Sequence, residues 1–428
     1  MRGEEDTLPR QGELLLPMLQ VLSEAGGTAS SEHVRETLAD AVALAPERRT
    51  MRTRAGRGGR MVNEWGRHVR WVRQQATLAE LVHAPSSGVW SLTDRGEKLL
   101  QNAARGVVVQ VFVTERGVML WGDAHDAAAV IEDGSLDLFM SSLPYPDQGK
   151  PYESQHPERA HVDWVLGLAE RLRPKLHEDG SMVLNLGSPF ERGRPAESTW
   201  IQRLTLRMVD ELDFVLCQTL YWHNPAKLPS PAEWVCIRRE RLVPDVEPVL
   251  WFARHAHPFA DSSGVLRPYG GAMKRRIAAG GETGARRPSG HALAPGAFAA
   301  DNGGAIPGTL LSAANTDSNS YYFRRCRESG LPAHPACFPR ELPERVVGLL
   351  TPPGGLVADL LSGSGETAAA AERLGRRWVA CDLSLTYLRG SVFHFERGPH
   401  FRSHLPHFLR APAPEQPDLF ALSHGGRA

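Results

Sequence analysis

The chain has 428 residues, 42% hydrophobic and 23% charged, which is enough apolar material for one large domain and a small one and too much for a disordered polymer. Lys and Arg (49) balance Asp and Glu (49), so no overall positive field marks a nucleic-acid binder, and any polyanionic partner has to be met by local clusters. No apolar run approaches the ~20 residues that span a bilayer, Met1-Arg2-Gly3-Glu4-Glu5-Asp6 lacks a signal-peptide pattern, and five isolated cysteines without a CxxC pair fit a reducing compartment; a cytoplasmic protein with no membrane contact, disulfide frame or metal is expected.

Residues 1–105 are expected to form a small helical domain. Leu14, Leu15, Met18, Leu19 and Leu22 recur at helical spacing and stop at Gly26-Gly27, and Ser30-Ser31 caps a second helix through Leu38. A longer third helix carries Trp65, Val69, Val72, Leu78 and Leu81 on its apolar side; Ser86-Ser87-Gly88, a strand over 89–92 and Thr93 capping a last helix complete a winged-helix pattern. Between positions 48 and 75 lie nine arginines against one acid, Glu64. Flexible arginines ahead of a helix neutralise phosphates and release counterions, so Arg48, Arg52, Arg54, Arg57 and Arg60 are DNA-binding candidates, with a solvated linker as the alternative. The ending Gly88-Val89-Trp90-Ser91-Leu92-Thr93-Asp94-Arg95-Gly96, behind a Trp-bearing helix, resembles the N-terminal domain of Mrr-type restriction-system proteins.

A strand over 107–115 leads into the second unit. Short apolar runs at 118–121, 136–141, 181–186, 214–221, 247–253, 356–359 and 378–381 alternate with helical stretches, as in a parallel α/β sheet. The alternation breaks at 257–320, a stretch read as loop, rich in Gly, Ala, Pro and Ser and carrying Lys274, Arg275, Arg276, Arg286 and Arg287.

Two stretches carry chemistry. In the first, Leu356-Val357-Ala358-Asp359 ends a strand, Ser362-Gly363-Ser364-Gly365 turns, a helix starts near Thr367, and Trp378-Val379-Ala380-Cys381-Asp382 ends the next strand in an acid. Glycines let a ligand lie against backbone and a strand-end acid binds ribose hydroxyls, so this is nucleoside-binding geometry. A nicotinamide fingerprint is not met, because its third glycine position is Ala368; a glycine turn that merely packs strand on helix remains the plain alternative. In the second stretch, Gly122-Asp123 and a helix precede Ser141-Ser142-Leu143-Pro144-Tyr145 at the end of a buried strand, where α/β folds place ligands. An amino group on a nucleobase is a poor nucleophile and needs acceptors for its protons and a clamp. Ser142 Oγ and the Leu143 or Pro144 carbonyl are acceptors, and Tyr145 is a stacking face.

Taken in order, these blocks resemble the S-adenosylmethionine-dependent amino-methyltransferases of DNA, the N4-cytosine/N6-adenine group. Its catalytic signature is Ser/Asp/Asn-Pro-Pro-Tyr/Phe and its cofactor signature Asp-Pro-Phe-x-Gly-Ser-Gly-Thr-Thr. The likeness runs over about 118–396 and includes Asn185-Leu186-Gly187, Tyr221-Trp222-His223-Asn224-Pro225, His334-Pro335-Ala336-Cys337-Phe338-Pro339 and Tyr387-Leu388-Arg389-Gly390-Ser391. Leu143 stands in place of the first proline, Leu360 and Leu361 replace Pro-Phe, and Glu366 replaces Thr; Leu143 still presents a carbonyl, and Gly363 and Gly365 persist.

The resemblance implies a Rossmann-like methyltransferase sheet with helices on both faces, in the circularly permuted β arrangement that places the catalytic block first. It divides the chain into the winged helix (1–105), a catalytic half (106–256), a target-recognition region (257–327), a cofactor-binding half (328–400) and a tail (401–428). It assigns Ser142, Leu143, Pro144 and Tyr145 to catalysis, and Asp123, Phe338, Asp359, Ser362, Gly363, Ser364, Gly365, Thr367 and Asp382 to S-adenosylmethionine. Lys274, Arg275, Arg276, Arg324 and Arg325 fall to DNA, while Trp222 and Asn224 either border the flipped base or sit in core. Serine at 142 leans toward N4-cytosine over N6-adenine, and no cysteine follows a proline as carbon-5 methylation would want. Double-stranded DNA is then the substrate, with a cognate restriction endonuclease and a second copy of the chain as further partners. A DNA-binding regulator with an inactive methyltransferase half and a nicotinamide oxidoreductase are the competing classes.

Overall fold

The computed structural model describes residues 8–398 except positions 10, 43, 56–59, 102–105, 147–153, 155–156, 188–189, 192, 286–289, 291–292 and 317–319. In the N-terminal domain, α1 (Leu15–Glu24), β1 (Thr28–Ser30), α2 (Ser31–Ala41), α3 (Pro46–Thr50), β2 (Arg52–Ala55), β3 (Arg60–Asn63), α4 (Glu64–Leu78), β4 (Val82–Ser86), β5 (Val89–Leu92) and α5 (Asp94–Gln101) follow in order. The sheet β1-β5-β4 lies against α1, α2 and α4, a winged helix. Ser30 Oγ accepts the His33 amide at 3.1 Å and caps α2, Asn63 caps α4, and Thr93 Oγ1 accepts the Gly96 amide at 3.0 Å. Two sequence readings are corrected. Leu78 ends α4 exposed, and Leu81, one turn further, takes the buried place. The arginine-rich stretch holds a second hairpin, in which β2 pairs antiparallel with β3, where flexible chain was expected.

The second unit contains β6 (Val109–Val113), β7 (Gly117–Trp121), α6 (Ala124–Ala128), β8 (Leu136–Ser142), α7 (Glu158–Leu172), β9 (Leu176–Asn185), α8 (Trp200–Asp210), β10 (Val215–His223), β11 (Val246–Ala253), α9 (Gly271–Ala278), β12 (Leu310–Ser312), α10 (Tyr321–Glu328), α11 (Glu341–Leu350), β13 (Leu356–Asp359), α12 (Glu366–Arg373), β14 (Arg377–Asp382) and α13 (Leu385–Ser391). Nine strands form one sheet in the order β12-β10-β11-β9-β8-β13-β14-β7-β6. β7, β14, β13, β8 and β9 are parallel, and antiparallel strands flank them.

Successive side chains of the parallel strands enter opposite cores, as the two-residue strand period requires. Met119, Val183, Val357 and Ala380 join the core that includes α11 and α12. Leu120, Met182, Leu184, Ala358 and Cys381 join the core beneath α6, α7 and α8. Helices therefore cover both faces, and an α/β methyltransferase-type sheet results. The first of these cores also includes α1 and Val109 and Val111 of β6, which ties the winged helix to the sheet. The stretch 257–320 is not structureless: α9 lies within it, and the three residues of β12 hydrogen-bond to β10 at the sheet edge.

Candidate active site

Five parallel strands ending at one edge put five polar positions side by side: Asp123 just past β7, Asp382 closing β14, Asp359 closing β13, Ser142 closing β8 and Asn185 closing β9. Register fixes their spacing. Trp121 lies opposite Asp382, Asp359 opposite Ala380, Ala358 opposite Phe139, and Ser142 opposite Asn185. The 142–145 segment and the glycine bend thus leave neighbouring strands.

The bend is held by backbone bonds. Gly365 N donates to Ser362 O at 2.7 Å and Ser362 N to Cys381 O at 2.9 Å. Gly363 (φ +50°) and Gly365 (φ +84°) occupy the left-handed region, which side chains disfavour, and this lets the chain turn straight into α12. The Asp382 carboxylate accepts the Gly363 amide at 2.7 Å on one oxygen and the Ser384 amide at 2.8 Å on the other. Burial pushes its affinity for a proton up, and the two amides work against that rise. His334 lies over the bend: a Cβ on Gly363 would come within 3.0 Å of its Nε2. Burial lowers the proton affinity of that imidazole. Ser362, Ser364 and Thr367 are buried around the turn, and Phe338 is half-buried against the same core.

Asp359 is buried, and desolvation raises its pKa to about 6 in spite of a 2.8 Å hydrogen bond donated by Ser141 Oγ and one from the Leu361 amide at 3.2 Å. Strand alternation separates the two serines of β8. Ser141 turns inward to Asp359, while Ser142 is half-buried and its hydroxyl has no hydrogen-bond partner among the described residues. Neither Asp359 nor Asp382 forms an ion pair with Lys or Arg among the described residues, so this corner offers acceptors and negative charge without a resident cation. A backbone-lined glycine cradle beside two such acids fits S-adenosylmethionine, with ribose hydroxyls as donors and a cationic sulfonium. Asp123 also N-caps α6, accepting the His125 amide at 2.8 Å. Glu366 is tied to Arg373 at 2.8 Å.

The other end of the edge is organised by a residue that the sequence reading missed. Glu247, 7% exposed, is the second residue of β11; its Oε2 accepts the Tyr145 hydroxyl at 2.8 Å and Asn185 Nδ2–H at 3.4 Å, and its Oε1 pairs with Lys227 Nζ at 2.8 Å. The Tyr145 ring lies on Gly187, where any Cβ would come within 2.2 Å of the ring, so only glycine leaves room for it. An acid heading an otherwise apolar strand, Val246-Glu247-Pro248-Val249-Leu250, was the available signal, because burying one without partners is costly. Trp222 is 5% exposed and donates Nε1–H to Ala313 O at 2.8 Å, so it is a core residue that anchors the segment after β12. Asn224 is likewise buried and donates to Asn315 Oδ1 at 2.9 Å.

The basic candidates separate by partner. Arg48 is drawn to Glu64 at 3.6 Å, Arg276 to Glu282 at 3.0 Å, and Arg325 to Glu396 at 2.8 Å and Glu328 at 3.1 Å. Arg324 is exposed over the Tyr321 ring, with Glu328 at 3.8 Å. Arg52, Arg54, Arg60, Lys274 and Arg275 are exposed, and Arg57 lies outside the described residues.

A Rossmann-like sheet with a glycine-and-acid nucleoside cradle beside a Ser-Leu-Pro-Tyr strand end defines an S-adenosylmethionine-dependent methyltransferase. Residues 136–393 match the family model described as DNA methylase, and residues 12–102 match that of the Mrr N-terminal domain. The chain belongs to the DNA methylase family, whose cofactor is S-adenosylmethionine and whose substrate is DNA. It is 39% identical over 286 residues to the type II methyltransferase M.PvuII of Proteus hauseri, covering 66% of this chain and 85% of that protein. It is 28% identical over 148 residues to the type II methyltransferase M.MwoI of Methanothermobacter wolfeii, covering 32% of this chain and 21% of that one. The solved structure titled PvuII DNA methyltransferase (cytosine-N4-specific) superposes with a TM-score of 0.55 at 33% identity, covering 68% of this chain and 90% of that one.

Proposed function

We propose that this enzyme transfers a methyl group to the exocyclic N4 of cytosine in duplex DNA, as the modification enzyme of a restriction–modification system. The observation that carries the reading is Ser142: a serine at the strand end beside the glycine bend, its hydroxyl without a hydrogen-bond partner among the described residues, in a chain 39% identical to a relative whose solved structure is described as cytosine-N4-specific. S-adenosylmethionine supplies an electrophilic methyl on a sulfonium. The protein's own residues handle the nucleophile. The target cytosine leaves the stack and its ring lies against Tyr145. Ser142 Oγ and the Leu143 carbonyl accept hydrogen bonds from the amino group, which aims the nitrogen lone pair toward the bend and takes up positive charge as it develops. Solvent or Ser142 removes the proton. Glu247, neutralised by Lys227, holds Tyr145 in place through its hydroxyl.

Asp382 takes the ribose hydroxyls, Gly363, Ser364 and Gly365 the turn against the cofactor, Phe338 its methionine end and Asp123 its adenine side; Asp359, Ser362 and Thr367 support the bend. The 257–327 segment serves as the target-recognition region, with Lys274 and Arg275 of α9 and Arg324 of α10 on phosphates or base edges. A restriction endonuclease cutting the unmethylated sequence and a second copy of this chain are the partners, and the setting is the cytoplasm. Among the described residues no helix is long and apolar enough to cross a membrane.

Expression in a host without DNA methylation, followed by sequencing that distinguishes N4-methylcytosine from N6-methyladenine, tests the assignment. Modified cytosine in one short motif is expected, modified adenine would overturn the base assignment, and unmodified DNA would overturn the activity.

A further inference from the structure

The connection between β10 and β11 leaves the sheet at the catalytic edge. β11 runs antiparallel to β9, with Val249 opposite Asn185, so residues 224–245 start and finish beside the strand ends that carry Ser142 and Asn185. The foot of this loop is braced. The Asn224 amide donates to Asp245 O at 2.8 Å and closes it, the Lys227 amide donates to Asn224 O at 3.0 Å, and Asn224 Oδ1 accepts the Ala226 amide at 3.1 Å. Lys227 Nζ reaches one oxygen of Glu247, whose other oxygen holds the Tyr145 hydroxyl. Two polar contacts therefore fix Lys227 relative to Tyr145, and the next residue is Leu228.

Leu228 is 79% exposed. A lone exposed leucine is ordinary, but this one stands on a stiff segment beside the base clamp. Pro229 has no amide donor and disfavours helical backbone at the residue before it, so Leu228 has little freedom to lose on binding. The far arm of the loop supplies charge. Arg238 lies over the Trp234 ring at 5.1 Å and is paired with Glu233 at 2.7 Å. Arg239 is exposed with no acidic partner among the described residues, and Arg241 donates to Pro195 O at 2.9 Å, a carbonyl that orients the guanidinium without neutralising it. One loop thus combines an aliphatic tip with two uncompensated arginines, and a duplex is apolar where its bases stack and anionic along its phosphates.

We infer that Leu228 is a wedge that enters the space left in the base stack by the extruded target, with Arg239 and Arg241 on flanking phosphates. Extrusion unstacks the target and orphans its pairing partner. An aliphatic side chain in the gap is withdrawn from water and keeps the neighbouring pairs apart, so the base does not fall back while residues 142–145 hold it. Leu228 is then a positioning residue that touches DNA and not the reacting nitrogen. This rests on DNA being the substrate and on extrusion of the target base, and it is indifferent to which amino base is methylated.

The test uses the full chain in two arms. In the first, fluorescence anisotropy compares a labelled duplex of arbitrary sequence with the same duplex carrying one central abasic site, a gap already made. The wild type is expected to bind the gapped duplex about tenfold more tightly, Leu228→Ala to lose that preference and Leu228→Phe to keep it. Ile237, 70% exposed on the same loop, is the control: Ile237→Ala retains the preference, and Arg239→Ala weakens binding to both duplexes alike. In the second arm, methyl transfer is measured on the motif found by sequencing. Leu228→Ala is expected to lower kcat/KM about tenfold on a paired target, and less than about twofold when the target base stands opposite an abasic position and extrusion costs least. Absence of the preference in the wild type, its persistence in Leu228→Ala, or equal losses on the two substrates would overturn the inference. The first arm needs no methyl transfer, so a failure of the proposed activity leaves the wedge decided by the two duplexes.

Discussion

The two ends of the catalytic edge handle charge in opposite ways. Around β13 and β14, Asp359 is buried and Asp382 half-buried, with backbone amides and the Ser141 hydroxyl as partners and no Lys or Arg among the described residues, so both carboxyls bind protons more readily than usual. Around β8, β9 and β11, Glu247 is buried too but is paired with Lys227 and bonded by Tyr145 and Asn185. One end waits for a ligand to complete its electrostatics, and the other is complete before anything binds. The proposed function uses this contrast, with the cationic donor at the first end and a neutral, flipped base at the second.

The sharpest way to break this contrast is to remove the base-side clamp alone. Ser142→Ala and Tyr145→Ala are expected to lower methyl transfer by about 10³-fold with cofactor affinity within about twofold, read by radiolabel incorporation and calorimetry. A matching loss of cofactor binding would mean that the two ends are not separate. Next in size is the pH response of the cofactor end. The Asp359 pKa lies above its unfolded value of 3.8, so the folded state is favoured while that carboxyl is protonated. Its contribution is full below about pH 4 and is lost as pH rises through about 6, a span of about 3 kcal/mol. Urea unfolding across that range is expected to show the loss in the wild type and not in Asp359→Asn, which keeps an acceptor for Ser141.

Gly365→Ala forces a side chain into a left-handed backbone beside Ser391, at 3.2 Å, and is expected to cost about 1–2 kcal/mol, measured as weaker cofactor binding or a lower Tm. The smallest effect separates Glu247 from the clamp that it holds. Glu247→Ala should reduce kcat by roughly tenfold and Glu247→Gln by less. Adding Tyr145→Phe to Glu247→Ala is expected to cost nothing beyond Glu247→Ala alone, because the loss of Glu247 already removes the hydrogen bond that the phenylalanine lacks. Additive losses would show that Glu247 acts elsewhere.

The strand, glycine turn, helix and acid of the β13–β14 end were legible in the sequence, because they follow one another locally. The 142–145 strand end was legible for the same reason. Glu247 was not: it stands 102 positions from Tyr145, and only the pairing of β11 with β9 brings the two together. The hairpin over 52–63 was missed because its arginines mask the apolar alternation that announces a strand, and β12 because three residues leave no period to count. Which arginines are free was equally unreadable, since Arg325 finds Glu396 71 positions away. Trp222 resolved into core because Ala313, on a segment read as loop, receives its indole N–H.

The hydrogen bond from Ser141 to Asp359 spans 218 positions of chain, and it joins β8 to a strand made much later in synthesis. A ribosome therefore releases the winged helix and the 142–145 strand end long before the glycine bend at 362–365 exists. The edge is assembled only by closing a long loop. A chain cut short before residue 356 would carry the 142–145 strand end with no glycine bend beside it.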